Sequence, residues 1–127
     1  MQERLLYEYA VIRIVPRVER CEFINAGVIL YCRDADFLQM KYEVSEKRIL
    51  ALNDGADTEK IRELLVAFEK ICNGVRDSGN ISLLKKADRF RWLTAQRSTM
   101  LQVSEVHPGL TINPAEKLEQ LFAELVK

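Results

Sequence analysis

Between Phe90 and Leu110 the chain reads FRWLTAQRSTMLQVSEVHPGL, which brings Arg91, Trp92, Arg97, Ser98, Thr99, Ser104 and the only histidine, His107, together along the sequence. A strand buried in a core has no need of such groups, so function is sought here. Between Lys85 and Arg97 the cations Lys85, Lys86, Arg89, Arg91 and Arg97 are set against a single acid, Asp88. Arginine forks match pairs of phosphate or carboxylate oxygens, and an indole such as Trp92 stacks on a base or a cation. Ser98 and Thr99 add hydroxyl donors. The segment therefore suits an anion: a nucleotide, a phosphate or an acidic partner segment. It also suits a plain alternative, in which Trp92 and Leu93 pack on a core and the cations form ordinary surface pairs, because most exposed charges contribute little.

His107 has the ring chemistry of a general acid or base, since an imidazole titrates near neutrality. That role requires a partner carboxylate, and Glu105 shares its face only if a strand runs that far. Beside Pro108-Gly109, the plain reading is a turn residue. A second polar stretch, Arg17, Glu19, Arg20 and Glu22 followed by Asn25, mixes both signs. If it lies next to the basic cluster, Glu22 can orient Arg91 or Arg97 and a polar pocket forms at one end of a sheet. Otherwise it is a solvated hairpin loop.

Cys21, Cys32 and Cys72 show no C-x-x-C spacing, and an odd count without a framework argues against a secreted disulfide scaffold. Arg20 beside Cys21 favours a thiolate, but no Cys-His spacing supports a nucleophile. Phosphate-loop and dinucleotide patterns are absent, and neither a His-based zinc site nor another metal site is indicated. No motif calls for a cofactor.

The elements that must position these groups follow from periodicity. Leu6 to Pro16 is rich in aromatic and β-branched residues and is apolar on most of both faces, with Arg13 as the interruption, which predicts a central strand. Phe23 to Arg33 predicts a second strand, with Gly27 marking a bulge or close approach. After the turn Asp34-Ala35-Asp36, Phe37 to Val44 predicts a third. Short connections make these three an antiparallel meander. Ser45 caps a short helix through Leu52. Asp57 starts a longer one, with Ile61, Leu64, Leu65, Phe68, Ile71 and Cys72 on one stripe and Gly74 as the stop. A short helix is expected over Leu84–Leu93, a fourth strand over Thr99–Val106, and a turn at His107-Pro108-Gly109. Asn113-Pro114-Ala115-Glu116 is a helix start, followed by Leu118, Leu121, Phe122 and Leu125. The expected class is α+β: a mostly antiparallel four-stranded sheet, a three-strand meander plus one later strand, with helices packed on one face.

The 127 residues suit one domain over 1–127, large enough to bury a core without disulfides or metal. Apolar residues make up 48% and charged residues 30%, as in soluble globular chains, and the formal net charge is zero. Zero balance supplies no long-range field towards nucleic acid or an anionic membrane. Neither a signal peptide nor an apolar run of membrane-spanning length is present, so a cytoplasmic protein is expected.

The stretches VIRIVPRVERCEFINAGVILYC and DRFRWLTAQRSTMLQVSEVHPGL, with the closing EKLEQLFAELV, resemble the bacterial domain-of-unknown-function family 3037 over almost the whole chain, from Tyr7 to Val126. Positions matching its pattern include Arg17, Glu22, Asn25, Gly27, Arg89, Trp92, Leu93, Arg97, Ser98, His107, Pro108 and Gly109. Ala26 departs from an expected Val and Gln96 from a common Pro. The resemblance assigns no activity. It implies a partner, because members resemble short companions of a HipA-like protein kinase encoded next door.

Two functions are therefore expected from different classes. The first is a small cytoplasmic interaction or regulatory subunit that binds a larger protein, a HipA-like kinase, with Arg17, Glu22, Asn25, Arg89, Arg91, Trp92, Arg97, Ser98 and His107 as anion or partner contacts. The second is an enzyme on a nucleotide or phosphorylated substrate: Arg91 and Arg97 hold phosphates, His107 moves a proton and Glu22 orients it. Convergence of these groups in a concave pocket marks the enzyme; an exposed apolar patch around them marks the interaction surface. Nucleic-acid binding, a third possibility, is disfavoured by the zero net charge.

Overall fold

The computed structural model describes residues 3–127. Strands β1 (Leu5–Ile14), β2 (Ile24–Cys32) and β3 (Phe37–Tyr42) form the antiparallel meander expected from the sequence. Helices α1 (Glu46–Leu52), α2 (Thr58–Cys72) and α3 (Lys86–Leu93) follow, then two short strands, β4 (Leu101–Val103) and β5 (His107–Thr111), and helix α4 (Pro114–Leu125). The sheet order is β3-β2-β1-β4, and β5 also pairs with β1. The class is α+β with an open antiparallel sheet, and β1 is central, as its two apolar faces require.

Local chemistry sets the helix starts. Ser45 accepts a hydrogen bond from the Arg48 amide, Asp57 from that of Lys60 and Asn113 from that of Glu116. Each satisfies a backbone donor that the first turn leaves open, a contribution of about 1 kcal/mol.

The strands feed two cores. Ala10, Ile12 and Ile14 of β1 point to the side covered by α1, α2 and α3, where they meet Ile29, Leu38, Ile49, Ile61, Leu65, Phe68, Phe90 and Leu93. Tyr7 of β1 with Val28, Leu30 and Cys32 of β2 points to the opposite side, where Leu118, Leu121, Phe122 and Val126 cover them. The sequence pattern predicts all helices on one face. The structure puts α4 on the other, because β2 is apolar on both sides and its second face must also leave water.

The later strand also differs from expectation. Pairing stops after Val103 and resumes at His107, so the predicted turn His107-Pro108-Gly109 is a strand, the fifth of the sheet. Two features permit it. Proline lacks an N–H but is tolerated at a sheet edge, and Gly109 accepts the ring of its cross-strand partner Tyr7. The joint between β4 and β5 is closed by Ser104, whose amide donates to the Val11 carbonyl at 2.8 Å while its hydroxyl accepts from the Val11 amide, also at 2.8 Å.

At Ala26 the β1–β2 register shifts. A β-carbon on the neighbouring Gly27 would lie 2.6 Å from the Lys41 carbonyl oxygen, so the close approach inferred from this glycine is real.

Candidate functional site

Several of the predicted site residues hold the fold together. Arg97 closes the end of α3: its guanidinium donates to the carbonyls of Leu93 at 2.8 Å, Ala95 at 3.1 Å and Trp92 at 2.6 Å. It also lies over the rings of Trp92 and Phe68, 4.5 and 5.2 Å from their centroids. A cation at a helix C-terminus meets both the open carbonyls and the negative end of the dipole. Burial pulls the Arg97 pKa below the usual arginine value.

Arg89 joins two helices. It donates to the carbonyl of Leu84 at 2.7 Å and to that of Cys72, at the end of α2, at 3.4 Å. Its guanidinium rests against Gly74, whose φ of +69° is a left-handed conformation that favours glycine. Asn25 donates to the Leu125 carbonyl at 3.0 Å, and Arg48 to that of Val126 at 3.1 Å, so two side chains close the end of α4.

The remaining predicted residues are exposed and scattered. Arg17 pairs with Glu19 and Arg20 with Glu22, each two residues apart, in the loop facing the end of α1. The Arg20 guanidinium holds the Glu22 carboxyl below the usual range. Glu22 therefore does not orient Arg91 or Arg97: Arg91 pairs with Asp88 at 3.3 Å and Arg97 with carbonyls. Ser98 lies exposed in the loop after α3. His107, exposed on β5, packs beside Tyr9 with ring centroids 5.3 Å apart. Among the described residues it has no carboxylate within ion-pair distance, so the partner that an acid–base role requires is not in place.

What the structure does bring together is a cleft of about 900 Å³ on the side of the sheet covered by α1–α3. Helix α3 packs on β2 and β3, and on the same side of the sheet Leu6 of β1 stays exposed. Leu6, Glu8 and Tyr31 line the cleft from the strands, Tyr31 stacked on Phe90 with centroids 5.5 Å apart. Lys85, Lys86, Arg89 and Arg91 line it from α3 and its approach, and Arg33, Asp34 and Asp36 from the β2–β3 turn. Lys86 is held by Asp36 at 3.0 Å. Arg33 and Lys85 have no carboxylate within ion-pair distance among the described residues.

Next to this cleft the sheet ends in an exposed apolar edge. Leu6, 57% exposed, stands opposite Leu110, 56% exposed, and Glu8 opposite Pro108. Val106, Pro108, Leu110 and Ile112 recur at alternate positions and all are exposed. Strand β5 pairs with β1 alone.

Residues 9–126 match the family model described as protein of unknown function (DUF3037). The chain belongs to this family. No curated protein and no solved structure matches it. In this DUF3037 protein the positions that carried the resemblance divide by use: Asn25, Arg89 and Arg97 bond backbone carbonyls, while Arg17, Glu22, Ser98 and His107 are exposed. Among the described residues there is no group of three or more His, Cys, Asp or Glu able to hold a metal ion, and no helix long and apolar enough to cross a membrane.

Arg33, Leu6 and Leu110 were not singled out by sequence reasoning. Arg33 adjoins a turn and carries no motif. Leu6 and Leu110 alternate like core residues, and only the position of α3 leaves them uncovered.

Chemically, the cleft can bind carboxylate or phosphate oxygens at its cationic rim and apolar groups on its strand side. It brings together no nucleophile–base pair: His107 and Glu22 are not among its lining residues.

Proposed function

We propose that this protein is a small interaction or regulatory subunit of the cytoplasm that binds a larger protein. The observation that carries this reading is the exposed Leu6–Leu110 pair beside a cationic cleft. An apolar patch rimmed by polar groups is what a docking surface offers, whereas an enzyme needs its polar groups to converge. The candidates for such convergence are spent on helix ends or lie apart. The family resemblance raises one class of partner, a HipA-like protein kinase encoded nearby.

The experiment is affinity purification of the tagged chain from its host, identification of what accompanies it, and reconstitution with that partner in purified form. A Leu6→Asp/Leu110→Asp variant, checked for its fold by circular dichroism, runs beside it. A stoichiometric complex that the variant fails to form supports the reading. A protein that comes down alone, and stays alone with the neighbouring kinase, sinks it.

A further inference from the structure

We infer that the occupant of this surface is an extended, acidic segment of the partner with apolar side chains at alternate positions, seated over Leu6 and Leu110 with its carboxylates at the rim formed by Arg33, Lys85 and Arg91. This rests on the interaction reading and specifies its chemistry.

The argument starts from charge. The cleft lining sets five cations (Arg33, Lys85, Lys86, Arg89, Arg91) against three carboxylates (Glu8, Asp34, Asp36). Arg89 is spent on carbonyls and Lys86 on Asp36, and Arg91 meets Asp88 only at 3.3 Å, with its side chain 77% exposed. Arg33 and Lys85 thus have no carboxylate partner, as Glu8 and Asp34 have no cation among the described residues, and Arg91 is free to exchange its partner; the lining as a whole stays net positive. These three cations come from the β2–β3 turn, the approach to α3, and α3 itself, so they are spread along the cleft.

That spread decides between ligands. A nucleotide concentrates its charge on adjoining phosphates and would meet Glu8, Asp34 and Asp36 in the same cleft. Like charges held close disfavour such a ligand. A peptide spaces its carboxylates along the chain and can place them at the rim, away from Glu8.

The apolar half of the site fixes the conformation. Leu6 and Leu110 are cross-strand partners, so their side chains stand together on one face, and Pro108 extends that row along β5. Side chains on an extended segment alternate between faces, with a period that matches this row. One set of side chains then covers the leucines, and the intervening carboxylates point away from the sheet, towards the level of α3, where the long side chains of Lys85 and Arg91 can meet them.

The test is nuclear magnetic resonance titration of the full ¹⁵N-labelled chain with the blocked hexapeptide Glu-Leu-Glu-Val-Asp-Leu, and with a matched peptide carrying Lys in place of each acid. The acidic peptide is expected to shift the amides of Leu6, Arg33, Arg91 and Leu110. Its affinity should fall about tenfold in Lys85→Glu/Arg91→Glu, and several-fold between about 0.05 and about 0.5 M salt. Equal binding of the Lys peptide, no shift at these amides, stronger shifts there with ATP, or self-association of the unliganded chain through β5 would each overturn the inference. The captured partner separates this result from the broader reading. If Lys85→Glu/Arg91→Glu retains the partner, the acidic segment is wrong and the interaction subunit stands; if the wild-type chain captures none, both fall.

Discussion

The phenol of Tyr7 occupies the space that a side chain at position 109 would need. A β-carbon built on Gly109 would stand 2.5 Å from Cζ and 2.7 Å from Cε1 of that ring, directly across the β1–β5 pair. The glycine thus permits the ring to lie over β5, and the β1–β5 pairing presents Leu110 beside Leu6. Gly109→Ala should therefore destabilise the protein by about 1–3 kcal/mol, the usual range for overpacking. At this size that lowers the melting temperature by roughly 4 °C per kcal/mol. In a Tyr7→Ala background, itself destabilised by the loss of a core ring, Gly109→Ala should cost less, because the two groups compete for one space. Urea denaturation of the two single variants and the double variant measures the coupling; strictly additive losses would mean the ring moves aside freely.

Arg91 lies in α3 and Arg97 in the loop that follows it, and the two should behave differently. Arg97 donates to three carbonyls from a partly buried position, whereas Arg91 makes one exposed contact. Arg97→Ala leaves those acceptors without their donor and should cost about 1–3 kcal/mol. Arg97→Lys should recover only part, since an ammonium has no planar fork to span them. Arg91→Ala should change stability by less than about 0.5 kcal/mol. Thermal melts of the three variants decide this. Equal losses at 91 and 97 would remove the structural role assigned to Arg97.

Helix starts were legible because capping needs particular side chains at particular spacings: Ser45, Asp57 and Asn113 each accept the expected amide. Strands β1 to β3 were legible from alternation and short turns. The face chosen by α4 was not, since a continuous apolar run in β2 shows that both sides are buried without saying which helix covers each. Nor was the use of Arg89 and Arg97. An arginine fork fits two helix-end carbonyls as well as it fits a phosphate, and the sequence does not record which lies within reach. Leu6 and Leu110 posed the reverse difficulty, because an edge residue left exposed alternates in sequence just like one that is covered.

Ser104 offers a test of the β4–β5 joint. Its hydroxyl accepts from the Val11 amide and donates to the Glu105 carbonyl at 2.9 Å, so a single side chain replaces the ladder where the strand is interrupted. Ser104→Ala would leave the Val11 donor unpaired at a buried position, at a cost of about 1–3 kcal/mol. The local signature is sharper than the global one. Hydrogen exchange at the Val11 amide should accelerate well beyond that at Ile29, on the covered side of β2. Unchanged protection at Val11 would show that another acceptor takes over.

The cysteines predict both reactivity and pH dependence. Cys21 is exposed, whereas Cys32 and Cys72 are buried. Burial pushes the Cys72 thiol up to about 12, outweighing the opposing influence of Arg89. A thiol-specific reagent at pH 8 should therefore label Cys21 alone in the native chain, and all three cysteines after denaturation. The linkage to stability follows in sign. Cys72 has a higher pKa folded than unfolded, so the unfolded chain is first to lose this proton as pH rises. The contribution is intact below the free-thiol range, near 9, and is lost as pH climbs from there towards 12. Cys72→Val removes the titrating group, so its stability should fall less than that of the wild type across this window. Denaturation midpoints of both chains at pH 8 and pH 10.5 provide the comparison, and parallel losses would show that Cys72 does not govern the alkaline limb.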